Sequence, residues 1–204
     1  MAEVSTASLV SGMTPGSAVE PNEKGDIVPL VVRASRGDEA AFAEIYQRHY
    51  AMVFQVSSRL VVNGADGADL TQEVFLKAWE KLPSLREPER FKSWLLRIVV
   101  NTAFNWRTRR QRERAALRQL QRPEHSSPAA FEPAIDRESS VALGQALVQL
   151  SPKLRTAVVL RYVAGLAYAD VARAMKCGEI TARTRVARGL SELGKRLARR
   201  QQEP

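Results

Sequence analysis

The sequence predicts an all-α protein made of two small helical domains that a flexible linker joins. Apolar residues recur every three or four positions through most of the chain, which is the spacing of amphipathic helices. No segment shows the alternating pattern of a half-buried strand. A stretch with three prolines, residues 123–133, separates two periodic regions. We therefore expect a flexible tail (1–25), a first domain (26–122), a linker (123–134) and a second domain (135–204).

Capping residues define the first two helices of the first domain. Asp26 is expected to cap a short helix that ends near Gly37. Asp38 is expected to cap a longer helix that ends at Asn63 and Gly64, because both residues favour the conformation that terminates helices. The apolar residues of this longer helix recur at helical spacing and are Phe42, Ile45, Tyr46, Val53, Phe54 and Val56.

Two further helices complete the first domain. One runs from about Asp66 to Leu82, with an apolar stripe formed by Leu70, Val74, Phe75, Ala78, Trp79 and Leu82. Pro83 and Pro88 then bracket a loop over residues 83–90, since proline removes a backbone N–H that a helix needs. The next helix starts near Phe91 and continues through Trp106.

The second domain is expected to contain four helices. The first covers residues 137–150. Ser151 and Pro152 fit the cap and first position of the second, which continues through Tyr162 until Gly165 ends it. A short helix over 168–175, a turn over 176–179 and a long basic helix over 180–199 follow.

The composition indicates a polyanionic partner without identifying it. The formal net charge is +9, which suits nucleic acid, an acidic protein or an anionic membrane, and also an ordinary solvated surface. No apolar run is long enough to span a membrane, and residues 1–25 do not resemble a signal peptide, so we expect a cytoplasmic protein with no membrane insertion.

Motifs of catalysis and of metal binding are missing from the sequence. It contains no Gly-rich phosphate loop, no HExxH and no G-x-S-x-G. Cys177 is the single cysteine, and His49 and His125 lie far from it in sequence, so neither a disulfide nor a zinc site is expected. We expect a protein that is not an enzyme and has no cofactor.

The end of the second domain has the arrangement of a helix-turn-helix. A short helix and a tight turn precede an arginine-rich helix, the second helix being the one that enters the major groove. With Ala182, Val186 and Leu190 facing inward, the outward residues are Arg183, Thr184, Ala187 and Arg188. Arginine pairs bidentately with guanine, whereas Thr181 and Arg185 are better placed for phosphates. An amphipathic terminal helix with a solvated basic face is the alternative.

A second basic segment lies at the end of the first domain. It interleaves Asn101, Asn105 and Trp106 with five arginines, Arg107, Arg109, Arg110, Arg112 and Arg114. Amide and aromatic groups beside cations suit single-stranded DNA, whose bases stack while the charges hold the backbone. Trp94 is better explained as a core residue, and Trp106 and the arginine run can be core and solvated, respectively.

Acidic residues line the helix over 66–82. Asp66, Asp69, Glu73 and Glu80 can in principle hold a metal ion. Since Lys77 lies among them and no histidine converges on them, an exposed face that meets a basic partner is the better interpretation.

Four ordered segments resemble the extracytoplasmic-function (ECF) group of bacterial sigma factors, the compact members of the sigma-70 family, such as sigma-E. They are GDEAAFAEIYQRHY (37–50), DLTQEVFLKAWEKL (69–82), FKSWLLRIVVNTAFNWRTRR (91–110) and the segment over 150–193 that begins LSPKLRTAVV. The resemblance implies a sigma region 2 domain and a sigma region 4 domain, which together direct core RNA polymerase to promoters.

The resemblance also implies roles for individual residues. Asp69, Gln72, Glu73 and the neighbouring Lys77 match the segment that docks on the clamp helices of the beta-prime subunit, and region 4 implies contact with the beta flap. For the melted −10 element the implied residues are Arg86, Arg97, Asn101, Asn105 and Arg109, with the loop over 83–90 as a pocket for a flipped-out base. For the −35 element they are Thr181, Arg183, Thr184, Arg185 and Arg188. An anti-sigma partner is usual in the family.

Departures from the family pattern fall in the helix-turn-helix. Lys176 replaces a frequent glycine, Gly178 a frequent proline, and Ala182 a bulkier residue, which leaves the tilt of the last helix open. Two other functions stay possible at this stage: a stand-alone helix-turn-helix regulator, and a sigma mimic that titrates a regulator without supporting transcription.

Overall fold

The computed structural model describes residues 23–61, 64–118 and 137–200. Eight α-helices lie in those ranges: α1 (Glu23–Ala34), α2 (Glu39–Leu60), α3 (Gly64–Lys81), α4 (Phe91–Arg118), α5 (Arg137–Gln149), α6 (Pro152–Val158), α7 (Tyr168–Ala174) and α8 (Glu179–Arg200). The predicted tail over 1–25, apart from the start of α1, and the linker over 123–134 lie outside the described residues.

The described part of the chain is helical throughout and contains no strand, which confirms the predicted fold class. Two boundaries are wrong. Helix α2 ends at Leu60, before the Asn63 and Gly64 that were expected to end it, and Gly64 instead begins α3. Helix α1 begins at Glu23, so Asp26 lies within the helix and does not cap it. Glu23 and Lys24 are good helix formers, and they extend the helix by a turn before the expected start.

Three helices build the core of the first half. Helix α2 packs along α3, and α3 packs along α4, with Ile45, Leu70 and Leu95 buried between them. Asp38 caps α2 as predicted, because its side chain accepts a hydrogen bond from the backbone N–H of Ala41 at 3.0 Å. Two 3-10 turns, Leu82–Ser84 and Pro88–Arg90, connect α3 to α4.

In the second half, α8 packs on α6 and α7. Ser151 occupies the N-cap position of α6 as predicted, although its side chain makes no capping hydrogen bond. Helix α6 continues into a π-helical turn over Val159–Val163, after which Gly165 ends the element with a φ of 70°. A positive φ of this kind strains any residue that has a Cβ, so glycine is the residue that fits here.

The two halves contact each other directly. Helix α4 packs against α7, and α2 packs against the π-helical turn and α5. Arg155 of α6 lies at this junction and donates a hydrogen bond to the backbone carbonyl of Leu60, the last residue of α2, at 3.3 Å. Within the described ranges, no helix combines the length and the apolar content needed to cross a membrane.

Candidate polymerase and nucleic-acid interfaces

The residues predicted to contact polymerase lie together on α3. Asp69 and Gln72 are exposed, and Glu73 and Lys77 are half-buried. Glu73 accepts a hydrogen bond from the ammonium of Lys77 one turn later, and the two form an i,i+4 ion pair. This pair shields part of the negative charge, so the exposed carboxylate of Asp69 and the amide of Gln72 are the groups most available to a partner.

An aromatic groove between α2 and α3 borders this polar face. Its volume is about 410 Å³, and it is lined by Glu39, Phe42, Tyr46, Gln72, Phe75, Leu76 and Trp79. The rings of Phe42 and Trp79 lie 4.9 Å apart, which fixes the wall of the groove. Leu76 is 60% exposed at its edge. This groove was not predicted, because the periodicity of α2 assigned Tyr46 to the core, whereas its side chain is exposed.

Asp66 does not belong to the exposed acidic face. Its carboxylate is nearly buried and accepts a hydrogen bond from the Arg110 guanidinium at 2.7 Å, which ties the start of α3 to α4. Among the described residues no cluster of His, Cys, Asp and Glu side chains is arranged to hold a metal ion. The acidic set therefore separates into a structural ion pair at Asp66 and a more exposed group further along α3.

Helix α4 presents the residues predicted to bind the melted −10 element as one stripe. Arg97, Asn101, Asn105 and Arg109 are all exposed and follow each other at intervals of four residues. Each step of four residues rises about 6 Å and turns by about 40°, so the four side chains form a polar and cationic track about 18 Å long that winds about 120° around the helix. The structure thus brings these four residues together.

An exposed aromatic ring also lies on this face. Phe104 is three residues beyond Asn101, and its side chain is exposed. Trp106 points away from Phe104, is only 8% exposed and packs in the core, and the guanidinium of Arg109, the last residue of the track, lies over its ring at 4.8 Å. Of the two roles left open for Trp106, the core role is the one that its burial supports. Phe104 was missed because a single aromatic residue gives no periodic signal.

The loop over 83–90 holds Arg86, which is exposed between the two 3-10 turns. The loop packs against α1 and the start of α4. Asn101 lies ten residues into α4, about 15 Å along the helix axis from Phe91. The loop and Asn101 thus lie at different heights of α4, and a shared pocket for a flipped base stays a prediction.

The helix-turn-helix predicted in the second half consists of α7, a turn and α8. The backbone N–H groups of Cys177 and Lys176 bond to the carbonyls of Ala172 and Arg173, at 3.0 and 3.3 Å, which closes the end of α7. In α8, Ala182 and Val186 are buried, whereas Arg183, Thr184 and Arg188 are exposed. Thr181 is exposed as well, and Arg185 is half-buried. The predicted inward and outward faces of α8 are confirmed.

Two residues that were not predicted as site residues hold Arg183 in place. Glu179 accepts two hydrogen bonds from its guanidinium, at 2.7 and 3.2 Å. The guanidinium also lies over the ring of Tyr168, 4.5 Å from the centroid, and Arg161 covers the same ring at 5.0 Å. These contacts hold the Arg183 side chain in one orientation at the start of α8.

Comparisons with known proteins agree along both halves. Residues 45–113 match the family model Sigma-70 region 2, and residues 140–193 match Sigma-70, region 4. The RNA polymerase sigma-H factor of Pseudomonas aeruginosa is 30% identical over 184 residues, which are 82% of this chain and 92% of the relative. The ECF RNA polymerase sigma-E factor of Escherichia coli K12 is 31% identical over 175 residues, 78% of this chain and 87% of the relative.

A solved structure shares the fold. The sigma factor RpoE of Bartonella quintana, crystallised with the anti-sigma factor NepR, matches with a TM-score of 0.63 and 24% identity, over 76% of this chain and 97% of that one. The relatives that match both halves are sigma factors, and nothing favours a stand-alone helix-turn-helix regulator. Sigma factors act in transcription initiation and are not enzymes. The chain belongs to the sigma-70 family and is an RNA polymerase sigma factor of the extracytoplasmic-function group.

Proposed function

We propose that this sigma factor contacts promoter DNA through two separate surfaces, the polar stripe of α4 at the melted −10 element and the outer face of α8 at the −35 element. The observation that carries the proposal is the stripe itself. Arg97, Asn101, Asn105 and Arg109 form one exposed track, and Phe104 is exposed beside its first half, next to Arg97 and Asn101. Cations, amides and an aromatic ring on one track are the groups that hold and stack a single strand.

Each residue type has a distinct task in this proposal. The amide of Asn101 hydrogen-bonds an unpaired base, Phe104 stacks on a neighbouring base, and Arg97 and Arg109 hold phosphates. Arg86 extends the cationic surface into the loop. Unpairing a base costs a few kcal/mol, which stacking and hydrogen bonds to the exposed base edge offset. The chain itself performs no covalent chemistry.

The second contact, at the −35 element, is made with double-stranded DNA. Arg183 and Arg188 reach guanine edges in the major groove, with Thr184 between them, while Thr181 and Arg185 hold phosphates. Because polymerase holds both halves of the sigma factor, binding of one element raises the effective concentration of the other. Promoter selection then depends on both elements together.

The polymerase contact is proposed for the exposed groups of α3. Asp69, Gln72 and the Glu73–Lys77 pair face the clamp helices of the beta-prime subunit, and the second half meets the beta flap. Because a sigma factor acts on RNA polymerase, we propose that this protein is cytoplasmic. Charge reversal at Asp69 (Asp69→Lys) is expected to weaken binding to core polymerase in a gel-shift titration.

An anti-sigma factor is a further proposed partner. The aromatic groove of α2 and α3 supports it, because an exposed apolar groove suits an amphipathic helix of a regulator. A protein that copurifies with the tagged chain and blocks its run-off transcripts would be that regulator. If such a protein leaves transcription unchanged, the anti-sigma assignment fails.

The −10 assignment is tested by Asn101→Ala in reconstituted holoenzyme. Loss of the amide is expected to leave core binding unchanged and to reduce open complexes about tenfold, since one hydrogen bond to a base contributes about 1–1.5 kcal/mol. Permanganate reactivity of unpaired thymines measures the open complex. Gln47→Ala removes an exposed amide from α2 and serves as the matched control.

Three results would contradict the proposal. Unchanged permanganate reactivity in Asn101→Ala removes the role given to that residue. A wild-type chain that binds core polymerase but never yields promoter-specific transcripts is a sigma mimic, and one that binds duplex tightly without polymerase is a stand-alone regulator.

A further inference from the structure

Ile180 is the most exposed of the large apolar side chains in the described part of the chain. It is 82% exposed and lies in the first turn of α8, directly after Glu179. Ala182 and Val186 already fill the inward face, so Ile180 adds nothing to the core of the helix-turn-helix. Burial of this exposed side chain against a partner would be favourable.

The neighbours of Ile180 extend this apolar surface along α8. Thr184 and Ala187 follow at intervals of four and three residues and are exposed on the same face. The hydroxyl of Thr184 donates to the backbone carbonyl of Ile180 at 2.9 Å, so the polar end of this side chain is turned back onto the helix. Ile180, Thr184 and Ala187 form a narrow strip of carbon, which we call the apolar strip.

Charged groups flank the apolar strip on both sides. On a helix that turns 100° per residue, Arg183 lies about 60° to one side of Ile180, and Arg188 lies about 80° to the other. Both arginines are exposed, and Arg183 is held by Glu179 and Tyr168. An apolar strip between two cations matches a surface that is apolar at its centre and anionic at its edges.

The major groove of DNA offers such a surface where it contains thymine. The thymine C5-methyl is the apolar group that base pairs present in this groove, and phosphates line its two edges. The first turns of a recognition helix are the part that meets base edges. A protein partner is less well matched, because it would have to cover Ile180 while leaving the adjacent arginines in water.

We infer that Ile180 is a specificity-determining residue of this sigma factor, and that it reads the methyl group of a thymine in the −35 element. This inference rests on the proposed function of α8. Ile180 contacts the methyl with its own side chain and excludes water from it. Cytosine and the purines present polar groups or no methyl at that position, so Ile180 has no methyl group to contact there.

The test compares thymine with deoxyuridine, which lacks only the methyl group. Wild-type holoenzyme first selects its upstream element from a randomised duplex library, which tests the proposed function alone. Each thymine of the selected element is then replaced by deoxyuridine, one at a time. Affinity is measured by fluorescence anisotropy for wild type, Ile180→Ala and Ile180→Val.

We expect one or two positions at which deoxyuridine weakens wild-type binding about fourfold, the effect of losing one buried methyl group. Ile180→Ala is expected to bind the thymine duplex about fourfold more weakly and to be indifferent to deoxyuridine at those positions. Ile180→Val keeps a branched apolar side chain at the contact and is expected to retain most of the discrimination between thymine and deoxyuridine. Exposure of Ile180 means that neither variant disturbs the fold.

Three outcomes overturn the inference. In the first, deoxyuridine has the same effect on wild type and Ile180→Ala at every thymine, or the selected element lacks thymine. In the second, Ile180→Ala weakens binding to core polymerase without DNA, which makes Ile180 a protein contact. In the third, wild-type holoenzyme selects no upstream element, and this overturns the proposed function of α8 as well.

Discussion

Lys176 adopts a backbone conformation that suits glycine better. Its φ is 51°, in the left-handed region, because it follows the last turn of α7 and reverses the chain towards α8. Gly37 occupies the equivalent position after α1, with a φ of 93° and the same hydrogen-bond pattern back to the helix. Of these two reversals, one has glycine at the left-handed position and the other has lysine.

Replacement of Lys176 by glycine is expected to stabilise the protein. The left-handed conformation costs a residue with a Cβ about 1–2 kcal/mol, and the greater freedom of glycine in the unfolded chain offsets part of that gain. We expect Lys176→Gly to raise the free energy of unfolding by about 0.5–1 kcal/mol in a urea titration. Gly37→Ala is the converse control and should destabilise, since no atom lies near its Cβ and the strain is purely conformational.

Asp38 makes the stability of the first half depend on pH. The backbone N–H of Ala41 and the side chain of Arg33 hold the pKa of Asp38 below its ordinary value of 3.8. A carboxylate with a lowered pKa stabilises the folded state fully above about pH 4, and this contribution disappears as the pH falls through the lower, folded pKa.

The corresponding prediction compares Asp38→Ala with Asp38→Asn. Asp38→Ala should melt at a lower temperature than wild type at pH 7, and the difference should shrink below pH 4. Asp38→Asn keeps an acceptor for the N–H of Ala41 but has no titrating group. Its melting temperature at pH 7 should therefore fall less than that of Asp38→Ala. If Asp38→Ala lowers the melting temperature by the same amount at pH 7 and at pH 3, the charge of Asp38 has no role.

The sequence predicts single residues well where a helix face decides their position, and poorly where a long-range contact does. The outward positions of Arg183, Thr184 and Arg188 follow from the period of α8 alone. The ion pair of Asp66 with Arg110 joins residues 44 positions apart, and the local sequence pattern of neither helix predicts it. The same holds for Tyr168, whose contact with Arg183 depends on the angle of the turn.

At the scale of the elements, Gly189 sets how closely α8 approaches α6. A Cβ on Gly189 would lie 2.5 Å from Cγ2 of Val158 and 3.3 Å from the carbonyl oxygen of Leu154. Gly144 of α5 is also a helical glycine, but it has no atom within 4 Å of the same point. The two glycines thus differ in packing while sharing their backbone conformation.

Alanine at these two positions is expected to change stability in opposite directions. Gly189→Ala forces α6 and α8 apart and should lower the free energy of unfolding by about 1–3 kcal/mol. Gly144→Ala improves helix propensity in open space and should raise it by about 0.5–1 kcal/mol. Chemical denaturation of both variants measures the difference. Equal effects of the two substitutions would mean that the close approach of α8 to α6 is absent in solution.

Most helix boundaries could be predicted because caps and prolines determine them locally. Asp38, Pro152 and Gly165 begin or end elements where expected. The π-helical turn over Val159–Val163 was not predictable, since one widened turn inside a helix alters no hydrophobic period. The predicted start of α1 was wrong, because the residues at the N-terminus of this helix favour the helical conformation as strongly as Asp26 favours the cap position.

At the scale of the whole molecule, the packing of the two halves was beyond prediction from the sequence. The apolar stripes of each half account for the core of that half. No sequence pattern predicts that α4 packs against α7 or that α2 packs against α5. The buried residues of both halves nevertheless form one continuous cluster, which includes Leu60 and Trp106 from the first half and Leu160 and Val171 from the second.

Arg155 is the buried cation at the junction of the two halves. It is 2% exposed, and its guanidinium donates to the backbone carbonyls of Leu60, Val148 and Leu150. Burial lowers the pKa of Arg155 to about 10, and the nearby Arg107 adds to the shift. The side chain stays protonated at neutral pH, and its charge is stabilised by carbonyl dipoles from both halves.

Arg155→Ala should therefore destabilise the protein and loosen the contact between its halves. Three carbonyls lose a donor and a cavity opens, so we expect a loss of about 2–4 kcal/mol by chemical denaturation. Spin labels at Gln47→Cys in α2 and Lys195→Cys in α8, in a Cys177→Ser background, report the distance between halves, which should broaden in Arg155→Ala. Arg196→Ala is the control, because Arg196 donates to Gln149 within its own half and should leave the distance unchanged. A wild-type distance distribution in Arg155→Ala, despite lost stability, would confine the role of Arg155 to the second half.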